Sequence, residues 1–167
     1  VSPTEVVVTD NDGNETRVAT QFVLLATGSS PRLPLNVDVD GDKIVTSDHI
    51  ESWTDFPESM VIVGAGVVGC EYATIFANYG RTRINIIDRQ PRILPFEDED
   101  VAAVVAASFA ETGIRHHRES TLEHMRVKDG MVEYILCSPE VVCAPIRVER
   151  ALVAIGRTPN TKGLGLE

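Results

Sequence analysis

Apolar residues change their spacing several times along the chain. In TEVVVTDNDGNETRVATQFVLLATG, residues 4–28, two β-rich runs, VVVT and TRVAT, flank DNDGNE. The Asp-Gly step and the Asn residues suit a turn with positive φ, so the pattern predicts a hairpin. FVLLATG follows, a short apolar run ending in small residues, and predicts a buried strand. SSPRLPLNVDVDGDK reads as a connector, because Pro31, Pro34 and the Asp/Gly cluster disfavour a helix or a central strand. A short helix is expected from Ser47 to Trp53, with Ser47 as N-cap and Pro57 closing it.

A different rhythm begins at Met60. MVIVG is a buried strand, Val67 to Tyr79 is helical and is stopped by Gly80, and RINIID is a second strand. RQPRILPFEDED is a loop. A second helix runs from Asp98 to Thr112, its acidic first turn matched to the positive end of the helix dipole. Gly113 ends it, and IRHH makes a third strand. This β-α-β-α-β order belongs to a parallel sheet with right-handed crossovers. After it, STLEHMRV, MVEYILC and VVCAPIRV read as short antiparallel strands, with Lys128, Asp129 and Gly130 turning between the first two. RALVAIG is one more apolar strand. The expected fold is α/β: a Rossmann-like parallel sheet with flanking helices plus a three-stranded antiparallel crossover.

Composition narrows the partners. The 167 residues suffice for one domain with a real core. Aromatics are only 5 %, so the core leans on Val, Ile, Leu and Ala. The net charge of -10 argues against nucleic acid and against an anionic membrane surface. No apolar run approaches the ~20 residues of a membrane span. The start, VSPTEVVV, lacks an initiator Met and the features of a signal peptide. Three cysteines, an odd number, fit a reducing compartment, so a cytoplasmic protein is expected.

The candidate chemistry sits in VIVGAGVVGCE. Gly64 ends a strand, Gly66 opens a helix and Gly69 lies in the first turn. In a dinucleotide-binding loop the first glycine permits the tight turn, the second lets the backbone approach a pyrophosphate, and the third lets helix and strand pack closely. Gly66, Gly69, Ala73 and Ala77 form a stripe of small residues on one helix face. Asp88 ends the second strand, about 20 residues past the glycines, where a carboxylate accepts hydrogen bonds from an adenosine ribose and repels a 2′-phosphate. That favours NAD over NADP. Arg89 and Arg92 follow closely and leave NADP possible, although solvated loop arginines are the simpler reading.

FVLLATGSSPRLP, MVIVGAGVVGCEYATIFANYG, RINIIDRQPRIL and ALVAIGRTPNT together, in this order, resemble the flavin-dependent pyridine nucleotide-disulfide oxidoreductases. Dihydrolipoamide dehydrogenase is the best-known member, and GCEYATIFA looks more like the soluble pyridine nucleotide transhydrogenases. The resemblance implies a nicotinamide domain inserted into an FAD domain. Residues 1–28 would then end the first part of the FAD domain, 29–155 would be the inserted NAD(P)-binding domain, and 156–167 would lead back. It implies that Gly64, Ala65, Gly66, Val67, Val68 and Gly69 hold the pyrophosphate and Asp88, beside Arg89, the adenine ribose. Leu122 would lie against the adenine, or serve only the core. Gly156 would meet the nicotinamide carboxamide, and Thr27, Gly28 and Ser29 would touch FAD. Glu71, in the first helical turn, would lie near the nicotinamide and the flavin. The larger protein is expected to be a homodimer in which hydride passes between NAD(H) and FAD.

The family's first glycine loop, its C-x-x-x-x-C pair, its late Gly-Asp stretch and its His-Glu pair are all missing from these residues. The chain therefore reads as a piece that binds a nucleotide without turning over a disulfide. A coenzyme-A-disulfide, mercuric or NADH oxidase relative stays open, as does a rival from another class, a nucleotide-sensing module. Cys70 reads as a small buried thiol. Cys137 and Cys143 can face one another across a hairpin, but two free thiols are the default expectation. His116 and His117 adjoin on a strand, point to opposite faces and cannot share a metal. His49 and His124 have no ligand-spaced company, and no metal is assigned.

Overall fold

The structure is a computed structural model in which residues 4–138 and 143–166 are described. The chain divides into two compact units, one formed by residues 1–28 with 159–167 and the other by residues 29–158.

In the first unit, β1 (Glu5–Thr9) pairs antiparallel with β2 (Glu15–Ala19). The Asp10 carboxylate makes the turn: it accepts hydrogen bonds from the backbone N–H of Asp12 and Asn14 and from the Asn14 amide, at 2.9, 2.9 and 3.0 Å. These bonds, the Asn14 amide first, hold its carboxyl below the usual range. FVLLATG does not form the expected buried strand. Phe22 and Leu24 are 88 and 92 % exposed and the run has no strand assignment. A buried strand needs neighbours on both edges and both faces, and no described residue of this unit supplies them.

The second unit is built on a five-stranded parallel sheet. Along the chain come β3 (Ser29–Pro31), β4 (Ile44–Thr46), β5 (Ser59–Val63), helix α1 (Val67–Gly80), β6 (Arg83–Ile87), helix α2 (Glu99–Thr112) and β7 (Arg115–His117). They are followed by β8 (Thr121–Lys128), β9 (Met131–Cys137), β10 (Ala144–Val148) and β11 (Arg150–Val153). The parallel sheet has the order β4-β11-β5-β6-β7 and the antiparallel one β10-β9-β8. The expected architecture is present. Alternation along the central strands feeds two cores. Met60, Ile62, Ile84, Ile86 and Leu152 face a cluster with Ala73 and Phe76 of α1 and Phe109 of α2. Val61, Val63, Ala151 and Val153 face a cluster with Met125, Tyr134 and Leu136 of the antiparallel sheet. One face of the parallel sheet is thus covered by helices and the other by strands.

Several boundaries differ from expectation. The connector contains β3, and β4 follows it, buried in full because it pairs with β11. The helix expected from Ser47 is only a 3-10 turn, Ile50–Ser52, preceded by His49 with no side-chain cap. Helix α1 runs through Gly80 and ends at Arg81 in the left-handed region, φ 52°. Gly80 serves packing instead, since a Cβ there would lie 2.4 Å from the Phe56 ring. Helix α2 ends as expected, with Gly113 at φ 79°. Val141 and Val142, expected in the last antiparallel strand, lie outside the described residues.

Cys137 and Cys143 are joined as a disulfide with Cα atoms 4.5 Å apart, not two free thiols. Register explains it. Leu136 pairs with Ala144, so the next positions out, 137 and 143, meet face to face. With a disulfide present, the cysteine count no longer argues for a reducing compartment. No described helix is long and apolar enough to cross a membrane.

Candidate functional site

The C-terminal ends of parallel strands open onto a cleft of about 870 Å³. In open α/β sheets ligands bind there, where strand order reverses. β5 is the central strand, β6 lies to one side and β11 to the other. Val63 and Gly64, Ile87 to Gln90, and Val153 to Arg157 line the cleft from these three strand ends. Gly66, Val67 and Val68 line it from the start of α1.

Two of the three glycines have the close backbone contacts that the spacing predicts. Gly64 has φ +107°, and a Cβ there would stand 2.3 Å from the Ala154 carbonyl oxygen. Gly69 is buried, and its Cβ would stand 2.0 Å from the Gly64 carbonyl oxygen. Both glycines let backbone meet backbone. Gly66 differs: nothing lies within 4 Å of a Cβ built on it, and its φ is an ordinary -77°. It is the N-cap of α1 and offers no side chain to the helix end. The N–H groups of the first helical residues therefore face the cleft uncapped, with the positive end of the dipole behind them.

Asp88 is half-buried beside this loop. One carboxylate oxygen accepts from the Ala65 N–H at 2.7 Å and the other from the Gln90 N–H at 2.8 Å. The side chain expected to read a ribose thus also ties the glycine loop to the end of β6. A carboxylate has about four acceptor positions, so capacity remains toward the cleft. Arg89 is exposed, lines the cleft and has no hydrogen-bond or ion-pair partner among the described residues. Arg92 is not the solvated arginine that was expected. Its guanidinium donates to the carbonyls of Leu94, Pro95 and Glu97 at 2.7, 3.0 and 2.9 Å and stitches the loop after β6.

Leu122 lines the cleft and is also 7 % exposed within the strand-side core. Gly156 lines the cleft in the left-handed region at φ +104°. Its neighbour Arg157, which sequence reasoning passed over, fixes that corner. Arg157 donates to the Ser29 hydroxyl and carbonyl at 2.7 and 2.6 Å and to Asp48 at 2.8 Å. The hydrogen bond from Arg157 holds the Asp48 carboxyl below its usual range. Among the other residues that sequence reasoning missed are Asn36, Phe96 and Ser120, brought to the cleft by connectors without a motif.

Six predicted positions, Thr27, Gly28, Ser29, Ala65, Gly69 and Glu71, stand apart from the cleft wall. Ala65 is buried beneath the loop. Glu71 is exposed and not in the first turn: the helix starts at Val67, so Glu71 lies one turn in, where the dipole argument weakens. Thr27 and Gly28 belong to the other unit, where Asn160 donates to both of their carbonyls, at 3.2 and 3.0 Å. Cys70 is buried, its thiol 3.4 Å from the Ala65 carbonyl and pushed up to about 11 by burial, so it is no nucleophile.

Comparison with known proteins agrees with this geometry. The profile of the pyridine nucleotide-disulphide oxidoreductase family matches residues 2–167. The dihydrolipoyl dehydrogenase of Bacillus subtilis is 36 % identical over 175 aligned positions, covering 100 % of this chain and 35 % of that protein. The soluble pyridine nucleotide transhydrogenase of Yersinia pestis is 35 % identical over 159, covering 93 % of this chain and 32 % of that protein. The crystal structure of LpdA from Mycobacterium tuberculosis superposes with a TM-score of 0.81 at 31 % identity, over 96 % of this chain and 34 % of that one. The chain thus spans about a third of the length of the relatives it matches. With the glycine loop, the strand order and the profile in agreement, the chain belongs to the pyridine nucleotide-disulphide oxidoreductase family.

Proposed function

We propose that the cleft binds a nicotinamide dinucleotide, and that the chain is the NAD(H)-binding part of an FAD-dependent oxidoreductase of the dihydrolipoyl dehydrogenase kind. The observation that carries this is the uncapped start of α1 facing the cleft with open space at Gly66. A site built only for packing would fill that space.

The residues present fit the group. The N–H donors of Val67, Val68 and Gly69 suit a pyrophosphate at a helix N-terminus. Gly64 and Gly69 keep the loop compact enough to present them. Asp88 has acceptor capacity for ribose hydroxyls, and Leu122 offers an apolar surface for the adenine. The backbone beside Gly156, held by Arg157, suits the carboxamide. When bound, the nicotinamide exchanges a hydride with a flavin, chemistry that belongs to the cofactors. The chain's own task is to bind, orient and exclude water. In this reading residues 29–155 form the inserted domain. Residues 1–28 and 156–167 are the junctions with an FAD domain, with Thr27, Gly28 and Ser29 touching FAD and Glu71 near the nicotinamide and the flavin. The larger protein works as a homodimer.

Arg89 favours a second reading in detail, a transhydrogenase that accepts both nicotinamides. It lies next to Asp88 on the cleft wall and has no partner among the described residues. Titrating the full chain with NADH and with NADPH separates the two. A dehydrogenase of the first kind prefers NADH by about 10-fold or more, the worth of one charge-assisted hydrogen bond. A transhydrogenase shows comparable affinities, and Arg89→Ala then weakens NADPH alone. Asp88→Ala weakens both, because it also releases Ala65. Binding of neither nucleotide refutes the proposal.

A further inference from the structure

On the outward face of the antiparallel sheet three ligand-type side chains converge. The Cys137 and Cys143 sulfurs and a Glu123 carboxylate oxygen all lie within 4.8 Å of one another. Register brings them together. The cysteines meet across β9 and β10. The pairing of β8 with β9 is irregular between Leu122 and His124, and Glu123 is the residue left over at this bulge. Asn36 pins the bulge by donating to the Leu122 and Glu123 carbonyls at 2.6 and 2.9 Å. Leu122 and Leu136 point into the core, so their neighbours Glu123 and Cys137 point outward. Glu123 and Cys143 are exposed and Cys137 is half-buried, so solutes reach all three.

We propose that this trio is a redox-gated site for a thiophilic divalent cation of the Zn2+ type. In the disulfide state both sulfurs are bonded to each other and the site is closed. A dithiol reductant opens it: the sulfur–sulfur bond breaks, each sulfur takes one proton, and the donor closes its own disulfide. The cation then displaces both thiol protons to water and forms two bonds to sulfur and one to Glu123, with water in the fourth position. Tetrahedral Zn2+ with Zn–S of about 2.3 Å needs its sulfurs about 3.8 Å apart. A change of side-chain rotamer at two facing cysteines supplies that separation without moving the strands. Three protein ligands and an open position make an exchangeable site, unlike the four-ligand sites that hold structural zinc.

The test is a Co2+ titration of the full chain, oxidised and after anaerobic treatment with a dithiol, followed by the thiolate–Co2+ absorption, with Zn2+ stoichiometry read by native mass spectrometry. The reduced chain is expected to bind one ion and the oxidised chain none. Cys143→Ser should lower affinity on the order of 100-fold, as loss of a thiolate ligand does. Glu123→Gln changes one exposed side chain, leaves the sulfurs in place and should weaken binding about 10-fold while keeping the thiolate band. Absence of the band in the reduced chain, equal binding by the oxidised chain, or unchanged affinity in Glu123→Gln would each overturn the proposal.

Discussion

Two apolar runs in this chain end at a glycine and meet opposite fates. Met60 to Val63 becomes the central strand of the parallel sheet, no residue more than 8 % exposed. Phe22 to Leu25 forms no strand and is at least 47 % exposed throughout. Composition hardly separates them. What differs is company. The first run has β11 and β6 on its edges, helices against Met60 and Ile62, and strands against Val61 and Val63. The second has none of these among the described residues. A strand of this kind is a property of its neighbours as much as of its own sequence.

The contrast is sharpest in a pair of truncations. Ile62→Ala removes a fully buried side chain and is expected to cost about 2–5 kcal/mol. Leu24→Ala should stay within about 0.5 kcal/mol in the same chain. Denaturant unfolding of both variants measures this, and a large loss at Leu24 would show that its run is packed in solution. Gly69→Ala should follow at about 1–3 kcal/mol. Its methyl meets a backbone carbonyl, which cannot turn aside as a side chain can.

The same lesson recurs on a smaller scale in the loop after β6. Arg92→Ala leaves three carbonyls without their donor and is expected to destabilise by about 1–3 kcal/mol. Arg89→Ala should be neutral in stability and register only in nucleotide choice. Equal melting losses for both would erase the distinction between the partnered arginine and the free one.

The smallest effect concerns pH. Burial lowers the affinity of His116 and His117 for protons, and His117 is also bonded to Asn85 at 2.9 Å. A histidine with a depressed folded pKa contributes stability above its unfolded value near 6.5 that is lost as pH falls. Melting temperature should decline from about pH 6.5 downward, and His116→Gln with His117→Gln should flatten that slope. An unchanged slope would place the acid sensitivity in carboxylates such as Asp48 and Glu133, which titrate lower.

The sequence revealed the parallel core because hydrophobic runs, glycine spacing and an acid at a strand end all imply one crossover. It revealed the outline of the cleft for the same reason. It hid β4, three residues long, because a strand that short carries no periodicity. It hid the Arg157 anchor and the clamp of Asp88 on Ala65, since both rest on contacts across β-strands distant in the chain. The disulfide was visible only as spacing; it took the register of β9 and β10 to bring the two cysteines together. Glu71 is expected in the first turn, yet with the helix starting at Val67 as expected it is the fifth helical residue and lies just past that turn.

The central claim is that open space at Gly66 is kept for a ligand. Gly66→Val tests it directly, because a Cβ at Gly66 has nothing within 4 Å of it among the described residues. The account predicts an almost unchanged melting temperature and a loss of NADH affinity of about 100-fold in a fluorescence titration of the full chain, as expected when a backbone N–H pair can no longer approach a phosphate. A Gly66→Val chain that binds NADH as tightly as its parent would contradict it.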